Sequence, residues 1–173
     1  MSNSVQLYPL EQPLTLIDRH DQLPTSATLL AELNDPGTGR DKLHTLVKHE
    51  GHLSVLRSYH AGPNNQYYCD QYDYPLKVLS WFPTALEEFR KPPVEGGLHA
   101  GAMTTKDIDV DGEMLCIQSA TSGYYLMNRS RTEHDSGGIY RPMEISLSYD
   151  FLYKLGFLDL WKKLGQQYEN GDI

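Results

Sequence analysis

The sequence predicts an α+β fold built on a central antiparallel β-sheet. Two observations predict it: alternating runs with tight-turn signals fill the middle of the chain, and apolar stripes at helical spacing lie toward its ends. A third is the lack of the strand–helix–strand rhythm that a parallel sheet requires. At 173 residues the chain has the size of one domain, 1–173, and 39% hydrophobic residues suffice for one core.

Residues 1–24 carry Pro9, Pro13 and Pro24 around the apolar piece from Leu14 to Ile17. Proline removes ladder donors and fixes its own φ, so this stretch reads as an extended N-terminal arm or an edge strand. Thr25 or Ser26 offers a helix cap, followed by Leu29, Leu30 and Leu33 on one stripe. Asn34-Asp-Pro-Gly stops that element, Asp41 offers a second cap, and Leu43, Leu46 and Val47 follow at helical spacing until Gly51. The N-terminal third is therefore expected to hold short helices.

From Leu53 the pattern alternates, with Val55, Arg57 and Tyr59 set against Ser54, Leu56 and Ser58. Gly62-Pro-Asn-Asn65 is a turn, which predicts a hairpin around 53–69. Residues 76–82 fit either a buried strand or a helix. Pro83 suits a helical first turn, with Glu87 and Glu88 early and Arg90 and Lys91 late, an order that complements the helix dipole. After a glycine-bearing loop, Asp111-Gly112 predicts a hairpin over 106–118, and a second strand pair spans 124–147. At the C-terminus Ser148 can cap Phe151, Leu152 and Leu155, Gly156 interrupts, and Leu158, Trp161 and Leu164 form an apolar stripe. No internal repeat is visible.

Charge narrows the partners. Fifteen Lys and Arg face 23 Asp and Glu, a net charge of −8, which disfavours wrapping a phosphate backbone. Two widely spaced cysteines, Cys69 and Cys116, suit free thiols in the cytoplasm better than a disulfide framework or a zinc knuckle. The N-terminus lacks the basic start and apolar core of a signal peptide, and no stretch approaches the roughly 20 apolar residues of a membrane span.

His49 and His52 are the weak metal candidates, three apart and on one face if a helix lasts that long. Their spacing departs from H-E-x-x-H, and Gly51 intervenes. Asp35-Pro-Gly-Thr-Gly-Arg-Asp-Lys42 has the glycines of a phosphate loop without its Lys-Ser/Thr ending, so it reads as a connector. His134-Asp135 lies in a polar stretch where exposed charges are expected. No Gly-x-Ser-x-Gly turn marks a serine nucleophile.

The run Leu56-Arg-Ser-Tyr-His-Ala-Gly62 resembles the first motif of diphtheria-toxin-like ADP-ribosyltransferases. That resemblance implies an NAD-using enzyme in which His60 holds the ribose, Tyr125 stacks on nicotinamide and Glu144 polarises the ribose hydroxyl. A further alternative is single-stranded nucleic-acid binding on a strand face bearing Arg129 and Arg131 with Tyr124 and Tyr125.

The favoured expectation is a non-catalytic binding, adaptor or inhibitor-type protein without a cofactor. The acids and histidines suited to chemistry look dispersed along the chain, and tyrosine is in surplus, 12 against four phenylalanines and two tryptophans. Tyrosine is amphipathic and common in contact surfaces. Tyr67, Tyr68, Tyr72, Tyr74, Tyr124 and Tyr125 are the residues expected to meet a protein partner.

Overall fold

A computed structural model describes residues 12–37, 39–98 and 102–173. Strands β1 (Ala27–Asp35), β2 (Lys42–His49), β3 (His52–Ala61) and β4 (Gln66–Pro75) form one antiparallel sheet in sequence order. Helix α1 (Val78–Leu86) follows. Strands β5 (Ile108–Val110), β6 (Glu113–Ala120), β7 (Gly123–Thr132) and β8 (Pro142–Ser148) form a second such sheet. A π-helical turn (Asp150–Lys154) and helix α2 (Phe157–Glu169) close the chain. The α+β class and the antiparallel hairpins stand, with the strands divided between two sheets. Four strands and a helix occur twice over, a repeat of topology that the residues do not spell out.

The helices expected in the N-terminal third are strands β1 and β2, which corrects that reading. Leu29 pairs with Val47 and Ala31 with Leu46, so Leu30 is an extra residue at a β-bulge. The bulge lets Leu30 and Leu33, three apart, both pack toward the core, which imitates helical spacing. β2 is buried on both faces over residues 44–47, so its apolar residues do not alternate. Glu50 and Gly51 have φ of 49° and 76°, the backbone of a tight two-residue hairpin, where the sequence suggested a helix end. The expected Asp111-Gly112 turn has the same form, with φ of 50° and 90°.

Residues 76–82, left between strand and helix, lead into α1, which starts five residues before Pro83 and keeps it inside. Proline has no N–H for the carbonyl four residues earlier, that of Leu79. Gly165 of α2 packs at this carbonyl: a Cβ there would sit 2.4 Å from Leu79 O. Trp161 locks the same contact, donating Nε1–H to Val78 O at 3.1 Å and meeting Phe82 edge-on. Ser148 caps as expected, accepting the Phe151 N–H at 3.1 Å, and Gly156 breaks the helical run with φ of 87°.

The main apolar core draws on both sheets and both helices, including Leu46, Val55, Leu115, Ile117, Phe82 and Trp161. The opposite face of the first sheet holds a smaller cluster of Val47 and Leu56 with Ile17. Ile17 belongs to the segment before β1, whose described residues 12–26 follow the part of the expected arm that lies outside the described residues. Among the described residues no helix is long and apolar enough to cross a membrane.

Candidate functional site

β4 is the last strand of its sheet, and its alternating residues have separate tasks. Tyr72 and Tyr74 point into the main core, and Tyr74 donates its hydroxyl to Leu126 O at 2.8 Å. Gln71 and Asp73 point to the opposite face. The Gln71 side chain accepts the Ile17 N–H at 2.8 Å and donates to Thr15 O at 3.3 Å, so it clamps the arm by its backbone. Asp73 is completely buried. Its carboxylate accepts from Ser54 Oγ at 2.6 Å, Gln71 Nε2 at 3.0 Å and His134 Nε2 at 2.7 Å. A carboxylate only accepts, so His134 carries its proton on Nε2.

Asn128 on β7 connects this group to a second one. Its Nδ2 donates to Asp73 O at 3.1 Å and to Glu113 Oε1 at 3.0 Å. Glu113 also accepts from Arg131 Nε at 2.5 Å and from His52 Nε2 at 2.7 Å. Burial works to raise the Glu113 pKa, but the bonds from His52, Arg131 and Asn128 outweigh it and hold the carboxyl at about 2. The bond to Glu113 raises the pKa of His52 against the opposing effect of burial. Arg131 Nη1 also reaches Gln12 O at 2.8 Å. The arm, both sheets and the segment after β7 are thus tied through one buried polar seam.

This seam corrects the expectation that the acids and histidines disperse. His52, His134, Asp73 and Glu113 come within hydrogen-bonding reach of one another's partners. Each carboxylate is filled by three side-chain donors, which suits cross-linking of elements better than proton transfer. His134, expected on an exposed polar loop, is mostly buried beside Asp73.

Beside the seam a groove of about 360 Å³ runs along β4. The Asp73 N–H points outward from the sheet to Met143 Sδ, and its C=O points outward to Asn128. In an antiparallel ladder this direction recurs every second residue, so the N–H and C=O of Gln71 and Cys69 face outward too. The second sheet covers Asp73, while Gln71 and Cys69 line the groove. Among the described residues no hydrogen bond reaches their backbone groups. One wall is Leu16, 53% exposed, and Asp70, Glu133 and Asp135 stand around the opening. Burial and the neighbouring Asp135 carboxylate raise the pKa of Glu133, with Arg141 opposing them.

The tyrosines singled out from sequence do not form one surface. Tyr72, Tyr74 and Tyr124 are buried, Tyr124 packing on Phe89 and Tyr149. Tyr67 and Tyr125 are half-buried, and Tyr68 is 41% exposed. The Tyr67 hydroxyl takes the His20 N–H and donates to Ser58 Oγ, so it holds the arm. His60 is exposed on β3, edge-on to Tyr67, while Tyr125 and Glu144 lie on β7 and β8 of the other sheet. No ring contact or hydrogen bond joins His60 to either among the described residues.

Arg129 and Arg131 do not share a strand face. A register shift between Asn128 and Thr132 turns Arg131 into the seam, while Arg129 pairs with Asp107 at 3.0 Å. His49 and His52 close a hairpin and diverge, His49 donating from Nε2 to Thr15 O at 2.8 Å and His52 from Nε2 to Glu113. Among the described residues no three His, Cys, Asp or Glu side chains gather as metal donors.

Sequence reasoning missed Asp73, Gln71 and Glu113. The available signal was Gln71-Tyr-Asp-Tyr74, a strand whose second face is polar yet follows a hydrophobic hairpin. Only the arm lying over that face shows it to be buried. Comparison with protein-family models gives no match, and comparison with curated proteins gives none either.

Proposed function

We propose that this is a non-catalytic binding domain that takes an extended polypeptide segment along the free edge of β4. The observation that carries the reading is the pair of outward backbone positions, Cys69 and Gln71, in the groove beside Leu16. Unpaired strand-edge groups are a template for another strand, which supplies affinity through main-chain bonds and specificity through alternate side chains.

The walls define the partner's chemistry. Successive side chains of an added strand point to opposite faces. One set meets exposed Leu16, and the other meets the acids Asp70, Glu133 and Asp135. The segment that fits alternates apolar with basic residues, and the net charge of −8 favours its approach. The saturated carboxylates of the seam support binding over catalysis. Unpaired Cys69 and Cys116 support a cytoplasmic setting.

The test is binding of a labelled Lys-Val alternating octapeptide, with a Glu-Val octapeptide as control. Cys69→Pro removes the outward N–H without taking a bond from the β3 ladder, and Cys69→Ala controls for loss of the thiol. The reading expects binding of the Lys-Val peptide by the parent and Cys69→Ala proteins and loss in Cys69→Pro. Equal binding by Cys69→Pro, or no preference for the basic peptide, contradicts it.

A further inference from the structure

The outer part of the first sheet carries a cationic and aromatic platform, which meets the β4 groove at Tyr59 and Asp70 and extends beyond it to Tyr68, Arg40 and Lys42. Beyond the core row of Leu46, Val55 and Tyr72, the same face shows Arg57 and Asp70, and then Tyr59 and Tyr68. Tyr59 and Tyr68 are a cross-strand pair, with centroids 5.4 Å apart and planes within 19°. Arg40 and Lys42 each stand 5.6 Å from the Tyr59 ring centre. Tyr68 extends this stack at the edge strand and keeps 41% of its surface exposed.

The carboxylates near these cations, Asp35 and Asp70 among them, have other partners. Asp70 lies 3.6 Å from Arg57, Asp41 accepts from Asn34, and Asp35 accepts the Gly37 N–H. Among the described residues Arg40 and Lys42 form no ion pair. Burial, and then the charges of Arg57 and Arg40, push the Lys42 pKa down against the smaller opposing pull of the Asp35 and Asp70 carboxylates, so these cations crowd one another. Around them lies a cleft of about 330 Å³. An unpaired cation cluster beside a stacked aromatic pair, in a chain of net charge −8, is a local exception to the whole molecule's charge.

We infer that this platform binds a nucleotide unit, with the base stacking on Tyr68 and the phosphate meeting Arg40 and Lys42. Neighbouring strands are about 4.8 Å apart, so β2 to β4 spans about 10 Å, the reach of a nucleotide or of adjoining units in a single strand. Stacking on an aromatic face tolerates any base, and the cations supply the sequence-independent attraction. The unit comes either as free nucleotide or within single-stranded nucleic acid, and both present the same ring and phosphate.

The test is fluorescence anisotropy of a labelled oligothymidylate of about ten nucleotides at low salt, competed with thymidine monophosphate. The expected result is saturable binding that weakens as salt rises. Tyr68→Ala and the double variant Arg40→Gln/Lys42→Gln should each weaken it about fivefold or more, the lower end for one stacked base. Arg40 and Tyr68 are exposed and Lys42 is half-buried, and thermal unfolding of the variants checks that the fold is kept. Competition by the monophosphate identifies free nucleotide as the ligand, and its absence identifies the single strand. Cys69→Pro leaves this binding intact, which separates it from the β4 reading. No saturable binding, or unchanged binding in either platform variant, overturns the inference.

Discussion

His134 donates from Nε2 to Asp73 Oδ2 at 2.7 Å, across 61 residues of chain. The bond fastens the segment after β7 against the edge strand of the other sheet, and that segment forms one side of the β4 groove. The groove's shape therefore depends on a carboxylate that never meets solvent.

Removing that carboxylate leaves Ser54, Gln71 and His134 without their acceptor. Asp73→Ala is expected to cost about 3–5 kcal/mol, because breaking a buried pair strands its partners. Asp73→Asn keeps an acceptor for Ser54 and costs about 1 kcal/mol. Urea unfolding of the two variants checks the order.

The second pair makes stability depend on pH. The His52 pKa is raised above 6.5, so its stabilisation is present below 6.5 and is lost as pH rises through the folded value. Glu113 is held at about 2 against 4.5, so its contribution is present above 4.5 and is lost as pH falls toward 2. The pair contributes most between 4.5 and 6.5. His52→Ala should lose about 1–3 kcal/mol within that window and less above it, in unfolding curves taken across pH.

Helix packing supplies an independent prediction. A methyl at Gly165 would press on the Leu79 carbonyl that Pro83 leaves without a helical donor. Gly165→Ala is expected to destabilise by about 1–3 kcal/mol or more, because the neighbour is backbone and cannot rotate away. Lowering of the thermal midpoint measures it.

The arm should answer to one side chain. Gln71→Ala removes both bonds to the Thr15 and Ile17 backbone. Residues 12–23 should then be cut faster by protease, with a global stability loss of only about 1 kcal/mol.

These relationships were unequally legible in the sequence. Alternation and turn chemistry specified the hairpins at 53–69 and Asp111-Gly112, and Leu158, Trp161 and Leu164 specified α2. β1 and β2 were hidden because a bulge at Leu30 gives Leu30 and Leu33 a helical separation, and because both faces of β2 are covered. The polar seam was hidden for a different reason. Asp73 meets His134 and Glu113 meets His52 through contacts 61 residues apart, and local pattern carries no trace of such meetings. Tyr68 alone among the tyrosines put forward kept a large exposed surface: it shares a strand face with Tyr72 and Tyr74 but lies beyond the core that buries them.

Amide hydrogen exchange along β4, with and without the Lys-Val peptide, tests the open edge most directly. Asp70 and Tyr72, bonded inward to β3, should exchange slowly, while Cys69 and Gln71 should exchange fast in the free protein and slow when the peptide is added. Protection of Cys69 and Gln71 in the free protein, or no slowing on addition of the peptide, would contradict a free strand edge as the binding element.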